Sequence, residues 1–329
     1  MIKRLLIYNS GGGIGDSIQL LPLINTLKNE LKNTNFYYLS AHQNHFNSTI
    51  KDFNCNLEDL NLDIKYFGFR WWHIFVVNKK LKNNSIKNFD LIIDLQSKIR
   101  NSLILKMIPH KFFISTSFNS ILSKPYTSIK KKKKIDDTIL NAINVLLKKN
   151  LTIKEFDLNN IEKKFFVESE RLLPKKNYIG FSITQGNVYR KKEFPLDKIA
   201  TISNEFIKHN KIPVFFLEKK FHELKNKIKN DIPSALFPEH ETNLNSPALV
   251  TCLGKRLDLA ITIDNGIMHM LSLSKVPIIS LFGPTDSEKF APQYKNTTIL
   301  DSKKIYNSKN VSDITVQDVL LASKQLLNF

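Results

Sequence analysis

The spacing of apolar residues changes along the first half of the chain. An apolar run, RLLIY at residues 4–8, is typical of a strand buried on both faces, and the glycine-rich turn GGGIG follows it. From Asp16 the apolar residues recur at helical spacing, which predicts an amphipathic helix to about Lys32. The remaining elements predicted here are strands at 36–41, 91–96 and 112–117 and a helix at 138–149.

The same alternation starts again in the second half, after a charged segment that ends near residue 176 and is interpreted as a linker. Each half is therefore expected to be a βαβ system with a parallel sheet. The predicted domains are 1–170 and 171–329, and the last helix, at about 315–329, is able to pack back on the N-terminal domain. The elements predicted in this half are strands at 178–184, 213–218, 259–264 and 277–283 and helices at 195–210, 221–229, 246–254 and from 266 onward.

Ligands of doubly wound sheets bind beyond the carboxyl ends of the strands, where loops meet helix N-termini. With two such domains, the expected site is the cleft between them. Residues at strand ends are therefore the candidates for function.

Composition and charge narrow the class of protein. The chain has 329 residues, of which 42% are hydrophobic, so it is long and apolar enough for two folded domains. A formal net charge of +19 favours anionic partners, namely nucleic acid, an anionic membrane surface or a phosphorylated small molecule. Nucleic acid is the least favoured of these, because no RNP-like aromatic motif, helix-turn-helix signature or zinc finger is present.

Cysteine and metal-ligand patterns are sparse. Cys55 and Cys252 are far apart and have no CxxC or Cys/His spacing, which indicates a reducing compartment without a disulfide framework or a zinc site. His42 and His45 lack partners at useful spacing, and no DxD lies at a strand end, so no metal or other cofactor is expected. The first residues are interpreted as a strand and not a signal peptide, and no apolar run reaches a membrane-spanning length, which favours the cytoplasm.

Asp16 is the first residue that is able to carry chemistry. It ends the turn GGGIGDS, where a strict dinucleotide fingerprint would have its last glycine, and the phosphate-cradling GxxxxGK[ST] pattern also fails. A carboxylate at this position can act as a general base or orient a hydroxyl group. From spacing alone, a simple helix cap is the favoured interpretation, because it is the commoner role of an acidic residue at a helix start.

The loop after the strand at 178–184 carries polar and cationic side chains. Thr184 and Gln185 end the strand, and Arg190, Lys191 and Lys192 precede the next helix. Such a loop suits a diphosphate, since cations stabilise charge on a leaving phosphate. The alternative is a solvated basic loop, of which this lysine-rich chain has several.

A third candidate lies where the strand at 259–264 meets a helix. Asp264, Asn265 and Gly266 stand at the junction, where backbone N–H groups are able to bind a phosphate, and His269 follows one turn later. A structural histidine and a plain N-cap asparagine are the alternatives. The joint arrangement favours a ligand site.

Taken together, these segments resemble glycosyltransferase family 9, the ADP-heptose:lipopolysaccharide heptosyltransferases. GDSIQLLPLINTLK is similar to the family's GD segment, IDLQSKIRNS to IDxQG, and KKEFP to KxWP with Phe194 in place of tryptophan. DNGIMHMLSLSKVPIISLFGPTD resembles DTGxxHLAAALxxPxxxLFGPTD. The likeness spans almost the whole chain and implies the GT-B fold, an α/β architecture of two Rossmann-like domains whose parallel sheets face a central cleft.

The resemblance also implies an activity, namely inverting, metal-independent transfer of heptose from ADP-heptose to a sugar hydroxyl of the lipopolysaccharide inner core. Asp16 would be the general base and Lys192 would neutralise the departing diphosphate. The remaining residues implied at the donor are Thr184 and Gln185 at the phosphates, Glu223 at the ribose, Asp264 at the heptose hydroxyls, and Asn265, Gly266 and His269 at the diphosphate and sugar.

On the acceptor side the resemblance implies Gly15, Gln96 and Arg100. Three positions depart from the family pattern: Asn265 replaces a threonine, Gln185 stands where a second threonine is common, and Ser97 replaces the glycine of IDxQG. The open alternatives are another surface glycan or a protein as acceptor, another nucleotide sugar as donor, and a catalytically silent sugar-nucleotide binder.

A lipid-anchored acceptor would give the positive charge a purpose. The lysine run at 130–134 would attract an anionic leaflet, and Arg70, Trp71 and Trp72 would insert at the interface or line the acceptor mouth. The alternatives are that the tryptophans are core residues and that the lysines reflect a lysine-rich proteome. The expected protein is a monomer, peripheral at the cytoplasmic face of the inner membrane.

Overall fold

The computed structural model describes residues 2–41, 43–86, 88–96, 98–124, 135–184 and 192–327. The chain divides into two compact units, Met1–Phe156 and Asp157–Phe329, each built on a five-stranded sheet. Every strand pair in both sheets is parallel. The α/β class and the two Rossmann-like units predicted from the sequence are therefore confirmed.

The first unit has the strand order β3-β2-β1-β4-β5. Because β1 pairs with β2 on one side and with β4 on the other, the order reverses between β1 and β4, and this is where such sheets bind ligands. The strands are β1 (Arg4–Asn9), β2 (Asn35–Ser40), β3 (Glu58–Asp59), β4 (Phe89–Asp94) and β5 (His110–Ser115), and the helices are α1 (Ile14–Gln19), α2 (Leu21–Glu30), α3 (His73–Lys82), α4 (Ile99–Leu105) and α5 (Ile135–Leu147).

The second unit has the order β10-β9-β8-β6-β7, so its reversal lies between β6 and β8. Its strands are β6 (Tyr178–Ser182), β7 (Ile212–Phe215), β8 (Leu257–Ile263), β9 (Ile278–Phe282) and β10 (Thr297–Asp301). Its helices are α6 (Lys163–Leu172), α7 (Leu196–Lys208), α8 (His222–Asp231), α9 (Pro247–Gly254), α10 (Gly266–Leu273), α11 (Ser287–Phe290), α12 (Ser302–Tyr306) and α13 (Val316–Leu327). Short 3₁₀ turns connect the elements of both units, at His45–Asn47, Lys51–Phe53, Ser117–Ser120, Leu158–Asn160, Lys219–Phe221, Pro238–Glu241 and Val311–Asp313.

Burial follows the strand pattern. The central strands β1 and β8 are almost completely buried, as expected when helices cover both faces of a parallel sheet. Among the described residues, no helix has the length and apolar character required to cross a bilayer.

Two elements differ from the sequence prediction. The single helix expected from Asp16 is two helices, α1 and α2, which meet at Leu20, because Pro22 has no N–H and cannot continue a helix from the preceding turn. The predicted linker contains α6, which packs on α9 and buries Phe165. Because of that packing, the second unit begins after Phe156, earlier than the predicted boundary at 170.

The last helix, α13, packs within the second unit. It contacts α7 and the strands β8, β9 and β10 and buries Val319 and Ala322. The second unit thereby uses α13 to cover one face of its own sheet.

Candidate functional site

A buried ion pair lies beyond the carboxyl end of β8. The Lys192 ammonium donates to Asp264 Oδ2 at 2.5 Å and to the Asp264 backbone carbonyl at 2.9 Å. Only 8% of Lys192 and 7% of Asp264 are exposed. A charge of either sign is costly at this depth without its partner, so the two side chains form one neutral unit at the strand reversal of the second sheet.

Asn265 joins the ends of β6 and β8. Its side-chain oxygen accepts from the Met268 N–H at 2.9 Å and so caps α10. Its amide nitrogen donates to Ser182 Oγ at 2.7 Å and to the Thr184 carbonyl at 2.9 Å. The cap considered from the sequence is present, and the amide group is already used within the protein.

The residues around Asn265 line the same strand ends. Thr184 follows β6 and is half-buried, and Gly266 begins α10. His269 is one turn into α10 and only 6% exposed. The structure thus brings Thr184, Lys192 and the start of α10 to one place in the second unit, as the sequence predicted.

Of the other predicted donor residues, one lies on a different helix and one is outside the described residues. Glu223 is exposed in the first turn of α8, which follows β7. Gln185 lies outside the described residues, as do Arg190 and Lys191.

Asp16 lies in the first turn of α1, directly after the glycine turn. Its Oδ2 accepts from the Gly13 N–H at 3.3 Å, which is a long capping contact. The side chain is half-buried and so has access to solvent. A carboxylate held this weakly keeps acceptor capacity for a hydroxyl, and the cap and the base are therefore compatible.

Polar side chains hold the glycine turn from both sides. Asn9 Oδ1 accepts from the Gly11 N–H and from Gln96 Nε2, each at 2.9 Å. On the other side, His45 Nε2 donates to the Gly12 carbonyl at 3.2 Å. A side chain at Gly11 would place its Cβ 2.8 Å from Asp16 Oδ2, so the close approach of turn and carboxylate requires glycine.

A buried carboxylate anchors Gln96. Asp94 ends β4 and accepts from the Gln96 N–H at 2.9 Å, from Ser115 Oγ at 2.8 Å and from Ser102 Oγ. Burial raises the pKa of Asp94 to about 6, and the hydrogen bonds from Ser102 and Gln96 only partly offset that effect. Asp94, Gln96 and Asn9 therefore form a hydrogen-bonded chain that ends at the Asp16 turn.

Arg100 belongs to a second contact network of the first unit. Its Nε donates to the Gly68 carbonyl at 2.8 Å. Tyr8 OH donates to the Phe67 carbonyl at 2.8 Å and accepts from Asn101 Nδ2 at 3.2 Å. Because Tyr8 and Asn9 are consecutive, Arg100 and the Asp16 turn lie at the same end of β1.

The second unit contains a further acid beyond β7. Glu239 lies in the 3₁₀ turn Pro238–Glu241, and its Oε2 is buried without a hydrogen-bond partner. Burial and the nearby Glu218 carboxylate raise the pKa of Glu239 to about 7. In the described parts of the chain, no three His, Cys, Asp or Glu side chains come together as metal ligands would.

Sequence reasoning missed the residues that support the site. Asn9 is a polar residue at the end of an apolar strand, directly before the glycines, and this was the available signal. Asp94 stands inside the quoted segment IDLQ, but its burial depends on Ser102 and Ser115, which are distant in sequence. No local pattern pointed to His45 as a support of the turn.

A family model and a relative of known name both point to heptosyltransferases. The model of glycosyltransferase family 9 (heptosyltransferase) matches residues 74–319. Lipopolysaccharide heptosyltransferase 1 of Campylobacter coli is 24% identical in an alignment of 262 residues that covers 73% of this chain and 76% of that protein.

Solved structures show the same fold. A glycosyl transferase family 9 structure from Veillonella parvula superposes with a TM-score of 0.72 at 19% identity, covering 99% of this chain and 97% of that one. The heptosyltransferase WaaC of E. coli superposes with TM-scores of 0.68 in its complex with ADP and 0.67 with ADP-2-deoxy-2-fluoro heptose. Both WaaC structures are 14% identical and cover 98% of this chain and 99% of theirs.

The two Rossmann-like units have the GT-B fold, which the superposed structures share. Because the family model covers most of its length, the chain belongs to glycosyltransferase family 9, the heptosyltransferase family.

Proposed function

We propose that this protein transfers heptose from ADP-heptose to a sugar hydroxyl of the lipopolysaccharide inner core, with inversion and without a metal ion. Family membership supports heptose transfer, and the curated relative is named a lipopolysaccharide heptosyltransferase. The structural neighbour with bound ADP-2-deoxy-2-fluoro heptose supports ADP-heptose as donor.

Asp16 is the proposed general base. The acceptor hydroxyl gives its proton to the Asp16 carboxylate as its oxygen forms a bond to the anomeric carbon of the heptose. The bond from that carbon to the diphosphate oxygen breaks, and ADP leaves with the bonding electron pair. A single displacement of this kind inverts the anomeric centre.

Lys192 and Asp264 are proposed to act together on the donor. The ammonium of Lys192 stabilises the negative charge that develops on the leaving diphosphate. As it does so, its ion pair with Asp264 weakens. Asp264 then accepts hydrogen bonds from heptose hydroxyls. The backbone N–H groups at the start of α10, from Gly266 onward, are proposed to donate hydrogen bonds to a phosphate oxygen of the donor.

The remaining predicted residues have supporting roles in this proposal. Thr184 and Gln185 contact phosphate, Glu223 contacts the ribose, and His269 contacts the sugar. Gly15, Gln96 and Arg100 hold the acceptor. Asn265 contributes through the backbone it fixes, because its amide group is already bonded to Ser182, Thr184 and Met268.

The Lys192–Asp264 pair is the observation that carries the donor assignment, because a buried cation and a buried carboxylate at one strand reversal suit a diphosphate and the hydroxyls of a sugar. The experiment is a donor panel of ADP-heptose and UDP- and GDP-sugars with a heptose-free lipopolysaccharide acceptor, with and without EDTA. We expect transfer from ADP-heptose alone, unchanged by EDTA, with inverted anomeric configuration in the product. Transfer from a UDP- or GDP-sugar instead would refute the donor, and loss with EDTA would refute the metal-free mechanism.

The alternative is a transferase of the same family with another acceptor or another nucleotide sugar. The observation that favours it is Asn265, where the family pattern has threonine, since an amide engaged with three neighbours contacts a donor differently from a hydroxyl. The same donor panel, repeated with other surface glycans and with protein acceptors, separates the two.

We also propose that the protein works as a monomer at the cytoplasmic face of the inner membrane, attached peripherally, and that nucleic acid is not a partner. The positive net charge supports attraction to an anionic leaflet. The lysine run at 130–134, predicted to contribute, lies outside the described residues.

A further inference from the structure

Exposed aromatic side chains are concentrated in one short segment of the first unit. Five of them lie within residues 66–75, and the most exposed are Phe75 at 82%, Trp72 at 57% and Trp71 at 56%. The interpretation of the two tryptophans as core residues is therefore wrong. We call this set the aromatic surface; its members are Tyr66, Phe69, Trp71, Trp72 and Phe75.

The backbone beneath the aromatic surface is firmly held. Phe67 and His73 are buried, and the Gly68 N–H donates to His73 Nδ1 at 3.1 Å. Gly68 has a φ of +86°, and a Cβ there would lie 2.4 Å from Tyr8 OH, so glycine is required. The exposure of the neighbouring rings is therefore built into the fold and does not come from a frayed loop.

Helix α3 continues the same surface. Its buried residues His73, Val77 and Leu81 recur every four positions and mark its inner face. At 3.6 residues per turn, Trp72 and Phe75 lie on the opposite face, and so do the exposed Lys79 and Lys82 one and two turns later. The outer face of α3 thus carries aromatic rings at one end and ammonium groups at the other.

Cations dominate the surroundings of these rings. Lys65 and Arg70 are exposed in the same stretch as the outer-face lysines of α3. Two acids lie near this stretch: Asp63, which is paired with Lys80 at 2.8 Å, and Asp59, which lines one pocket together with Lys65 and Tyr66; the exposed cations outnumber them. An anionic partner is therefore complementary to this surface.

We propose that the aromatic surface, together with Arg70, Lys79 and Lys82, docks the protein on a bilayer that contains anionic phospholipid. Tryptophan and tyrosine rings settle at the headgroup level, and each lysine or arginine near an anionic leaflet adds attraction. The mixture of amphipathic rings and exposed cations on a rigid support fits a lipid surface better than a protein groove. This inference deepens the proposed function, and it rests on that function only for the identity of the membrane.

The backbone beneath the aromatic surface is hydrogen-bonded to Arg100, one of the residues proposed to hold the acceptor. The Gly68 carbonyl accepts from Arg100, and the Phe67 carbonyl accepts from Tyr8, which precedes Asn9 of the Asp16 turn. A lipid-anchored acceptor would therefore meet the first unit close to the bilayer that holds it.

Intrinsic tryptophan fluorescence can test this proposal without a label. It contains two tryptophans, Trp71 and Trp72, and both belong to the aromatic surface. With vesicles of phosphatidylcholine and phosphatidylglycerol, we expect a blue shift of tryptophan emission and quenching by lipids brominated near the headgroup. Vesicles of phosphatidylcholine alone should give neither change. No shift with the anionic vesicles, or an equal shift with both kinds, overturns the proposal.

Substitutions test the residues themselves by vesicle sedimentation. Trp72→Ser with Phe75→Ser should lower partitioning onto anionic vesicles by at least about tenfold, because the variant lacks two aromatic rings that the bilayer would bury. A matched control is Val167→Ser with Leu321→Ser, two exposed apolar residues of the second unit, which should change partitioning less than about twofold. Equal losses in both pairs overturn the assignment. Self-association without vesicle binding also overturns it, in favour of a protein interface.

Activity separates a failure of docking from a failure of the proposed function. With a delipidated, soluble acceptor, the Phe75→Ser protein should release ADP at the wild-type rate. If ADP is released but no variant changes vesicle binding, the docking proposal is wrong and the enzyme assignment stands. If vesicles bind as expected and no heptose is transferred, the docking proposal stands and the proposed function is wrong.

Discussion

Replacing Lys192 should show how strongly the candidate donor site depends on its buried ion pair. Lys192→Met removes the ammonium that pairs with the Asp264 carboxylate, whose side chain is 9% exposed. Breaking a buried pair in this way costs about 3–5 kcal/mol of unfolding free energy. Asp264→Asn should cost less, because the ammonium keeps the backbone carbonyl of residue 264 at 2.9 Å as an acceptor.

Combining both substitutions tests whether Lys192 and Asp264 stabilise each other. With both charges removed, Lys192→Met combined with Asp264→Asn should be more stable than Lys192→Met alone, and the coupling free energy should be at least about 2 kcal/mol. Urea unfolding of the full chain, followed by far-ultraviolet circular dichroism, gives the unfolding free energy of the wild type, the two single variants and the double variant, which together form a double-mutant cycle.

A partly exposed pair of the same unit is the matched control. Lys211 and Asp258 lie 2.7 Å apart with side chains 18% and 32% exposed, so the equivalent cycle should give less than about 1 kcal/mol. If the effects of Lys192→Met and Asp264→Asn add within about 0.5 kcal/mol, the two residues do not form the neutral buried unit described above.

Three other substitutions probe the supports of the site. Burial raises the pKa of Asp94 from 3.8 to about 6, so stability falls as pH rises from about 4 to about 7, by about 3 kcal/mol, and Asp94→Asn should flatten that part of a urea-unfolding pH series. Gly11→Ala should lower kcat at least about tenfold by displacing the Asp16 carboxylate, while the unfolding free energy changes by less than about 1 kcal/mol. Asn265→Ala should cost about 2 kcal/mol in the same unfolding assay, and Asn265→Ser should recover about half by restoring the cap.

Much of the fold could be predicted because its signals are local. Apolar runs such as residues 4–8 and 259–263 mark strands that need no partner information, and helical spacing marked α7, α9 and α10 closely. The break at Leu20 was missed, although its signal, Pro22, is local. The weakly patterned α6 was missed because its stability comes from packing on α9, which is distant along the chain.

The site shows the same limit. Asp16, Lys192 and Asp264 stand at strand ends that the sequence reveals, and the structure places Lys192 on Asp264. Whether Asp16 caps or catalyses could not be decided from spacing, because one carboxylate is able to do both. The exposure of Trp72 depends on Gly68 and His73 holding the turn, which is a tertiary feature.

The most direct test of the account is ADP release from ADP-heptose by the wild type and by Asp16→Asn, with a heptose-free lipopolysaccharide acceptor. We expect the wild type to release ADP only when the acceptor is present. Asp16→Asn should bind ADP-heptose with an unchanged Kd and turn over at least about 10²-fold more slowly, since a general base is lost. Turnover of Asp16→Asn within about tenfold of wild type would contradict the assigned base, and turnover by the wild type with another nucleotide sugar but not with ADP-heptose would contradict the proposed function.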